Sequence, residues 1–298
     1  MSTTPFDAYF SPEALEKIRL CEGVDAYHAR VNGAHIRSVY QNIPTSLNLF
    51  FHKFGNYFTI LLADALCENT SVETLGLEMN QIGNRGAKAL AWALSVNHSV
   101  LKVDLSNNHI GAEGILALAH GAMRQSRMIV SWNVTENMNR QHHEAFSDVE
   151  RAYHEVIAIL RQSKTVLEYH GPYERDLKAT IQANRMRVEL LADIVLHNPE
   201  SITREQLADL QEAYGALYHL FRDSGYSRQA VITLFSRVEK VAARYHCTIR
   251  VPCIPEIRAT AHFMPGKHAM SLLLPGMEAE SDARQETPEV KRKEQFHS

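Results

Sequence analysis

His246, Cys247, Cys253 and His262 carry the nitrogen and sulfur atoms that bind zinc, but their spacing lacks the close CxxC or HxxxH pair that pre-forms a tetrahedral site. Thiols of the core and histidines of the surface account for them, and no metal is expected. His142, His143 and His154 fall on one expected helix, where His154 stands four residues after Glu150, the spacing of a surface ion pair rather than a ligand set. A cysteine nucleophile needs an activating neighbour, and no glycine-rich turn or oxyanion element flanks Cys21, Cys67 or Cys247. GxGxxG, P-loop and paired-carboxylate patterns do not occur. The chain therefore reads as non-enzymatic, without catalytic residues or cofactor, an enzyme seated in the C-terminal half being the alternative.

The elements that would position any site belong to a globular chain. Its 298 residues are 45% hydrophobic and 22% charged, enough for a sizeable core and for two ordinary domains. Thirty-one basic against 34 acidic side chains leave a net charge of -3, which gives no broad attraction to nucleic acid or an anionic membrane. Met1 to Phe10 lacks the basic start and apolar run of a secretory signal, and no apolar run approaches a membrane span. Four cysteines with no CxxC read as free thiols, so a cytosolic chain is expected.

A repeat organises the middle of the chain. Shifting the sequence by 28 residues lays Val72 on Val100, Leu75 on Val103, Leu77 on Leu105, Asn80 on Asn108, Ile82 on Ile110, Gly83 on Gly111 and Gly86 on Gly114. The same shift backwards puts Leu47 on Leu75, Leu49 on Leu77 and His52 on Asn80, a degraded earlier copy. Forwards, a shift of 27 places Val130 and Trp132 on Val103 and Leu105, which predicts a last strand there. Each copy changes period midway: Leu75 and Leu77 alternate as on a strand with one buried face, and Ala87, Leu90, Ala93 and Leu94 follow helical spacing. One such hairpin cannot bury its own apolar edge, whereas a stack shares it, with parallel strands and an outer row of helices. Asn80 and Asn108 then sit at the turn after each strand, where a buried amide can satisfy backbone groups that lack a ladder partner. Gly86 and Gly114 suit close approach of helix to sheet.

These residues resemble the leucine-rich-repeat family, and the 28-residue unit with its LxLxxNxIGxxGAxAL spacing resembles the ribonuclease-inhibitor-like subfamily. The resemblance covers about 90 of 298 residues. It implies a binding scaffold open to many partners rather than an activity. His52 departs from the asparagine position. The GTPase-activating proteins for Ran share this repeat type, which implies, by fold analogy, a second alternative: a GTPase regulator using Arg85 in an exposed turn.

Around the repeats the expected fold is α/β: a short leucine-rich-repeat solenoid with an N-terminal helical cap and a C-terminal all-α helical bundle. The boundaries read as 1–45 for the cap, 46–134 for the repeats, 135–250 for the bundle and 251–298 for an extension with a disordered tail from about 276. Ser11-Pro12 starts a helix carrying Ala14, Leu15, Ile18 and Cys21, which would cover the open edge of the first strand. Phe146, Val149, Tyr153, Val156 and Leu160 form one apolar stripe, and Leu207, Leu210, Tyr214, Leu217 and Phe221 another. Leu177 to Val195 and Val231 to Tyr245 supply two more helices, with Thr203 to Gln206 and Ser227 placed as caps. The acidic stretch before Phe296 resembles the export signal of type IV secreted effectors, notably those of Legionella. That resemblance implies delivery into a host cytosol and, as partner, a host protein or a co-secreted bacterial enzyme.

Strand alternation turns Ser46, Asn48 and Phe50, Thr74, Gly76 and Glu78, Lys102, Asp104 and Ser106, and Ile129, Ser131 and Asn133 away from the core. Phe50 is an aromatic facing water, a candidate anchor, with packing under the N-terminal cap as the alternative. Lys102 and Asp104 would set orientation more than affinity. Four short strands offer only about 250 Å², against the roughly 800 Å² that a stable partner takes from each side. The partner-binding site is therefore expected to be composite, including Phe50, Phe51, Glu78, Met79, Lys102, Asp104, Ser106, Asn107, Ser131 and Trp132, and to occlude a protein partner.

Overall fold

Five parallel strands lie side by side in chain order, the first four each followed across the core by a helix. The structure, a computed structural model, describes residues 25–137 and 146–246. The expected helix from Ser11, His142 and His143, Cys247, Cys253 and His262, and the acidic tail lie outside these residues. All the described residues fall in one compact unit.

Helix α1 (Ala26–Tyr40) opens the row, capped by Asp25, whose carboxylate accepts the His28 N–H at 3.0 Å. It packs on α2 (Gly55–Glu68), which follows β1 (Ser46–Asn48). Then come β2 (Thr74–Gly76) and α3 (Asn84–Val96), β3 (Lys102–Asp104) and α4 (Ala112–Leu118), β4 (Ser131–Asn133) and α5 (Phe146–Gln162), and β5 (Glu168–His170). Leu47, Leu75, Val103, Trp132 and Tyr169 line up across the sheet as its first inward row, all buried. The residues grow toward β5, where wide aromatic rings fill the core.

Two expectations change here. Register pairs Val103 with Trp132, a shift of 29 residues and not 27, so Val134 takes the place of Leu105 and Asn137 that of Asn108. The added residue is absorbed in the helix: α4 runs into a π-helical turn, Ala119–Met123, the form that one inserted residue takes in an α-helix. Nor is β4 the last strand, since β5 pairs with it from Ser131↔Glu168 to Asn133↔His170. Helix α5 accordingly shares the repeat core through Ala152, Tyr153, Val156 and Leu160, because it occupies the helix position between two neighbouring strands.

The remaining helices are α6 (Lys178–His197), α7 (Arg204–Glu212), α8 (Tyr214–Asp223) and α9 (Arg228–Arg244). They enclose a second core, to which Leu101, Met128 and Val130 of the repeats contribute. Thr203 and Gln206 form a reciprocal capping box on α7, and Ser227 accepts the Ala230 N–H at the start of α9. The stripe from Leu207 to Phe221 is broken at Ala213 into α7 and α8. The first turn of α8 is pinned there, with the Gly215 N–H donating to Arg127 O at 3.0 Å. Side chains tie the two regions as well: Tyr218 donates to Glu73 at 2.9 Å, and Lys164 meets Asp209 and Glu212 at 2.8 and 2.6 Å.

Asparagines hold the repeats in phase at three levels. At the turn after the strand, Asn80 Oδ1 accepts the N–H of His52 and Phe54 while its Nδ2 donates to Leu49 O at 2.7 Å. Asn108 serves the next turn in the same way, and Asn137 the third. His52 follows β1, the first strand among the described residues. There the imidazole Nδ1 lies 2.9 Å from Phe50 O, the contact that Asn80 makes to Glu78 O.

At the far end of the helices, Asn69 and Asn97 accept the N–H groups of Ser71 and Val72, and of Ser99 and Val100. At the near end, Asn56 accepts Gly83 and Gly86 N–H, and Asn84 accepts Gly111 and Gly114 N–H, so α3 and α4 are each capped by the repeat before them. A Cβ on Gly114 would lie 2.7 Å from Asn84 Oδ1 and 2.6 Å from Ile110 Cγ2. The glycine makes room for the cap from its neighbour and for the isoleucine of its own turn.

Candidate protein-interaction surface

The outward rows of the sheet follow from its register. Ser46, Thr74, Lys102, Ser131 and Glu168 form the first row, and Asn48, Gly76, Asp104, Asn133 and His170 the second. Two residues further on stand Phe50, Glu78, Ser106 and Thr135. Beyond them each chain turns through the left-handed region, at Phe51 (φ 57°), Met79 (φ 56°), Asn107 (φ 53°) and Glu136 (φ 53°).

Most of the expected contact residues reach this surface. Phe50, Phe51 and Met79 are 49%, 54% and 39% exposed, and the two phenyl rings lie 6.2 Å apart, tilted by 37°. Asn107 is exposed, while Glu78, Lys102, Asp104 and Ser131 are half-buried. Two residues do not belong. Trp132 is 1% exposed because its place in the register is the inward one of Val103, and Ser106 is 3% exposed with its hydroxyl bonded to Asp104 at 2.6 Å. Ile129 is buried too, since it precedes β4 and packs into the repeat core. Gly76, Glu136 and Glu168 also belong to this face. Glu136 was legible only through Asn137, the ladder residue that follows it.

Backbone demand explains how the rim is built. Phe51 N–H donates to Glu78 O and Met79 N–H to Ser106 O, both at 3.1 Å, and the positive φ lets the chain turn back under them. Asparagine tolerates that conformation, whereas bulky side chains are held there only when the surroundings insist, at about 1–3 kcal/mol each. Phe51 and Met79 accept this strain while leaving 54% and 39% of their surface exposed. The Asp104 carboxylate is fixed in place by Asn133 Nδ2 at 2.9 Å and by the N–H and hydroxyl of Ser106.

The chemical candidates sit elsewhere. Cys67 donates to Ala63 O, and burial, followed by the nearby Asp64 and Glu68 carboxylates, pushes its thiol up to about 12. Such a group stays protonated and is a poor nucleophile. Arg85 stands in the first turn of α3 on the helix row, not in a loop beside the strand face. His154 lies 4.0 Å from Glu150, an exposed i,i+4 pair. Among the described residues no three histidines, cysteines or carboxylates converge as metal ligands. A cleft of about 260 Å³ beside Arg124, Arg127, Lys164 and Glu212 holds no cysteine or histidine, and its Ser126 and Ser163 hydroxyls accept backbone N–H groups.

Residues 68–91 and 96–119 match the family model described as Leucine Rich repeat. These segments are leucine-rich repeats. Among solved structures, the chain is similar to one titled Leiomodin-1 Actin-Binding Site 2, with a TM-score of 0.48 and 21% identity over 55% of this chain and 95% of that one. It is also similar to a tropomodulin C-terminal domain from Caenorhabditis elegans, with a TM-score of 0.47 and 14% identity over 53% of this chain and 96% of that one. No curated protein matches the chain. No described helix is long and apolar enough to cross a membrane.

Proposed function

We propose that this chain is a non-catalytic protein-recognition module, which grips a partner protein with the face and rim of its first four strands and occludes the surface it covers. One observation carries the reading: Phe50, Phe51 and Met79 form an exposed apolar cluster at the end of the sheet, and two of the three sit where the backbone disfavours them. Residues that weaken a fold without filling its core are retained for what they touch. Glu78, Lys102, Asp104 and Asn107 stand on the strands and turns beside the anchor, and Ser131 on the next strand. The repeats do the recognising, and helices α6 to α9 brace the ends of the strands from which the face rises. The 28-residue period favours the ribonuclease-inhibitor-like subfamily. The resemblance of the acidic tail to an export signal favours a host protein or a co-delivered enzyme as partner.

Capture on the immobilised chain tests this, from host cytosol and from the source organism's own proteome, with mass spectrometry as readout. A chain carrying Phe51→Asn and Met79→Asn should melt at the same temperature or higher, because asparagine relieves the strain, and should lose the captured protein. Retention of the same protein by the double variant would move the site off the rim.

A further inference from the structure

The apolar cluster has a charged neighbour. Continuing the β1–β2 register by two residues sets Phe50 opposite Glu78, whose carboxylate has no partner among the described residues. One strand further, Asp104 is held rigidly by Asn133 and Ser106, so its charge is already positioned. Across the strand face and rim stand Glu78, Asp104, Glu136 and Glu168, with Lys102 as the opposing charge. Between Asn48 and Asp104 the second row holds Gly76, and a Cβ added there would come no closer than 3.5 Å to Asn48 Oδ1. Packing therefore does not require glycine at this position. Its absent side chain leaves a notch in the floor of the face, below Phe50.

We propose that the partner element is a cationic amphipathic segment. It sets a large apolar side chain against Phe50, Phe51 and Met79, sets an adjacent arginine or lysine between Glu78 and Asp104, and brings its backbone down over Gly76. This rests on the protein-recognition reading above and specifies the chemistry of what is recognised. The apolar contact supplies most of the affinity, as buried aromatic anchors do, while the carboxylates orient the segment and speed its arrival. An arginine suits the site because its planar fork can meet both carboxylates, one of them fixed beforehand.

The test is selection of a random peptide library displayed on phage against the intact chain, counter-selected on the Phe51→Asn, Met79→Asn chain. Enriched peptides should pair tryptophan, leucine or methionine with neighbouring arginine or lysine. Synthesised singly, they should bind about tenfold or more weakly to Phe51→Asn and about threefold more weakly to Glu78→Gln. Gly76→Leu should block them, with Gly76→Ala as a variant of undisturbed fold that weakens them less. Enrichment of acidic or uncharged flanks would overturn the charge rule and leave the recognition surface standing. Equal enrichment on both chains would overturn the surface itself, and the proposal with it.

Discussion

Asn108 holds the turn of Asn80 from the next repeat: its Oδ1 accepts the backbone N–H of Asn80 and of Ile82, each at 3.0 Å. Its Nδ2 donates to Leu77 O at 2.8 Å and, in its own repeat, to Leu105 O at 3.0 Å. Leu77, Asn80, Ile82 and Leu105, whose backbone groups it meets, are all fully buried, which keeps water from those groups.

Asn108→Ala should therefore be among the most damaging single changes in the array. It strands several buried groups at once, at roughly 1–3 kcal/mol for each that finds no new partner. Urea unfolding reads this directly. Asn137→Ala should lose less, since Ile110 N–H reaches Asn137 only at 3.4 Å. Equal losses would contradict the ranking.

Gly215→Ala tests the seam between the repeats and α8. The new methyl would stand 2.4 Å from Met128 O and 2.5 Å from Arg127 O, both rigid backbone atoms. Overpacking of this kind destabilises by about 1–3 kcal/mol. Hydrogen exchange should quicken first in α7 to α9, while α2 and α3, whose core lies elsewhere, stay protected. Uniform protection would show that the seam yields without strain.

Acid should weaken the same seam. Burial, ahead of the other influences, holds the His219 imidazole below its ordinary 6.5; Asp223, Glu168 and Glu73 oppose this, and Lys102 reinforces it. The folded chain then takes up the proton less readily than the unfolded chain. The contribution of His219 is complete above about pH 6.5 and is lost as pH falls below it. His35, lowered by burial and by His52, acts in the same direction. Denaturation midpoints measured from about pH 7.5 down to about pH 5.5 should decline, less steeply in His219→Gln. A parallel decline in that variant would assign the effect to other groups.

Cys67 should resist alkylation in the native chain at neutral pH and react once denaturant is added, because its thiol is held far above neutrality. Peptide-resolved mass spectrometry separates it from Cys21, Cys247 and Cys253. Rapid native labelling would reopen nucleophilic chemistry at that position.

The parts legible in the sequence are those where neighbouring copies meet the same physical need with the same residue. Leu75, Leu77 and Asn80 recur as Val103, Leu105 and Asn108 because each pair faces the same core and the same turn. The next copy was misaligned because its extra residue lies in a helix, where no residue type announces a π turn, although Trp-Asn-Val-Thr-Glu-Asn from 132 to 137 carries the asparagine that fixes the register. Strand β5 stayed hidden because Tyr169 follows Trp132 at 37 residues and no ladder asparagine follows it. Phe50 could be placed outward by alternation alone. What sets Phe51 and Met79 apart is a backbone angle, which hydrophobicity does not reveal.

The crossing directions of the asparagine supports also bear on how the array comes apart. Asn56 and Asn84 lend their amides forward, to the helix that follows, whereas Asn80 and Asn108 lend theirs backward, to the loop that precedes. Pruning either terminus thus robs the surviving neighbour of something it cannot make for itself. Melting should spread through the whole stack in a single step rather than peel inward unit by unit.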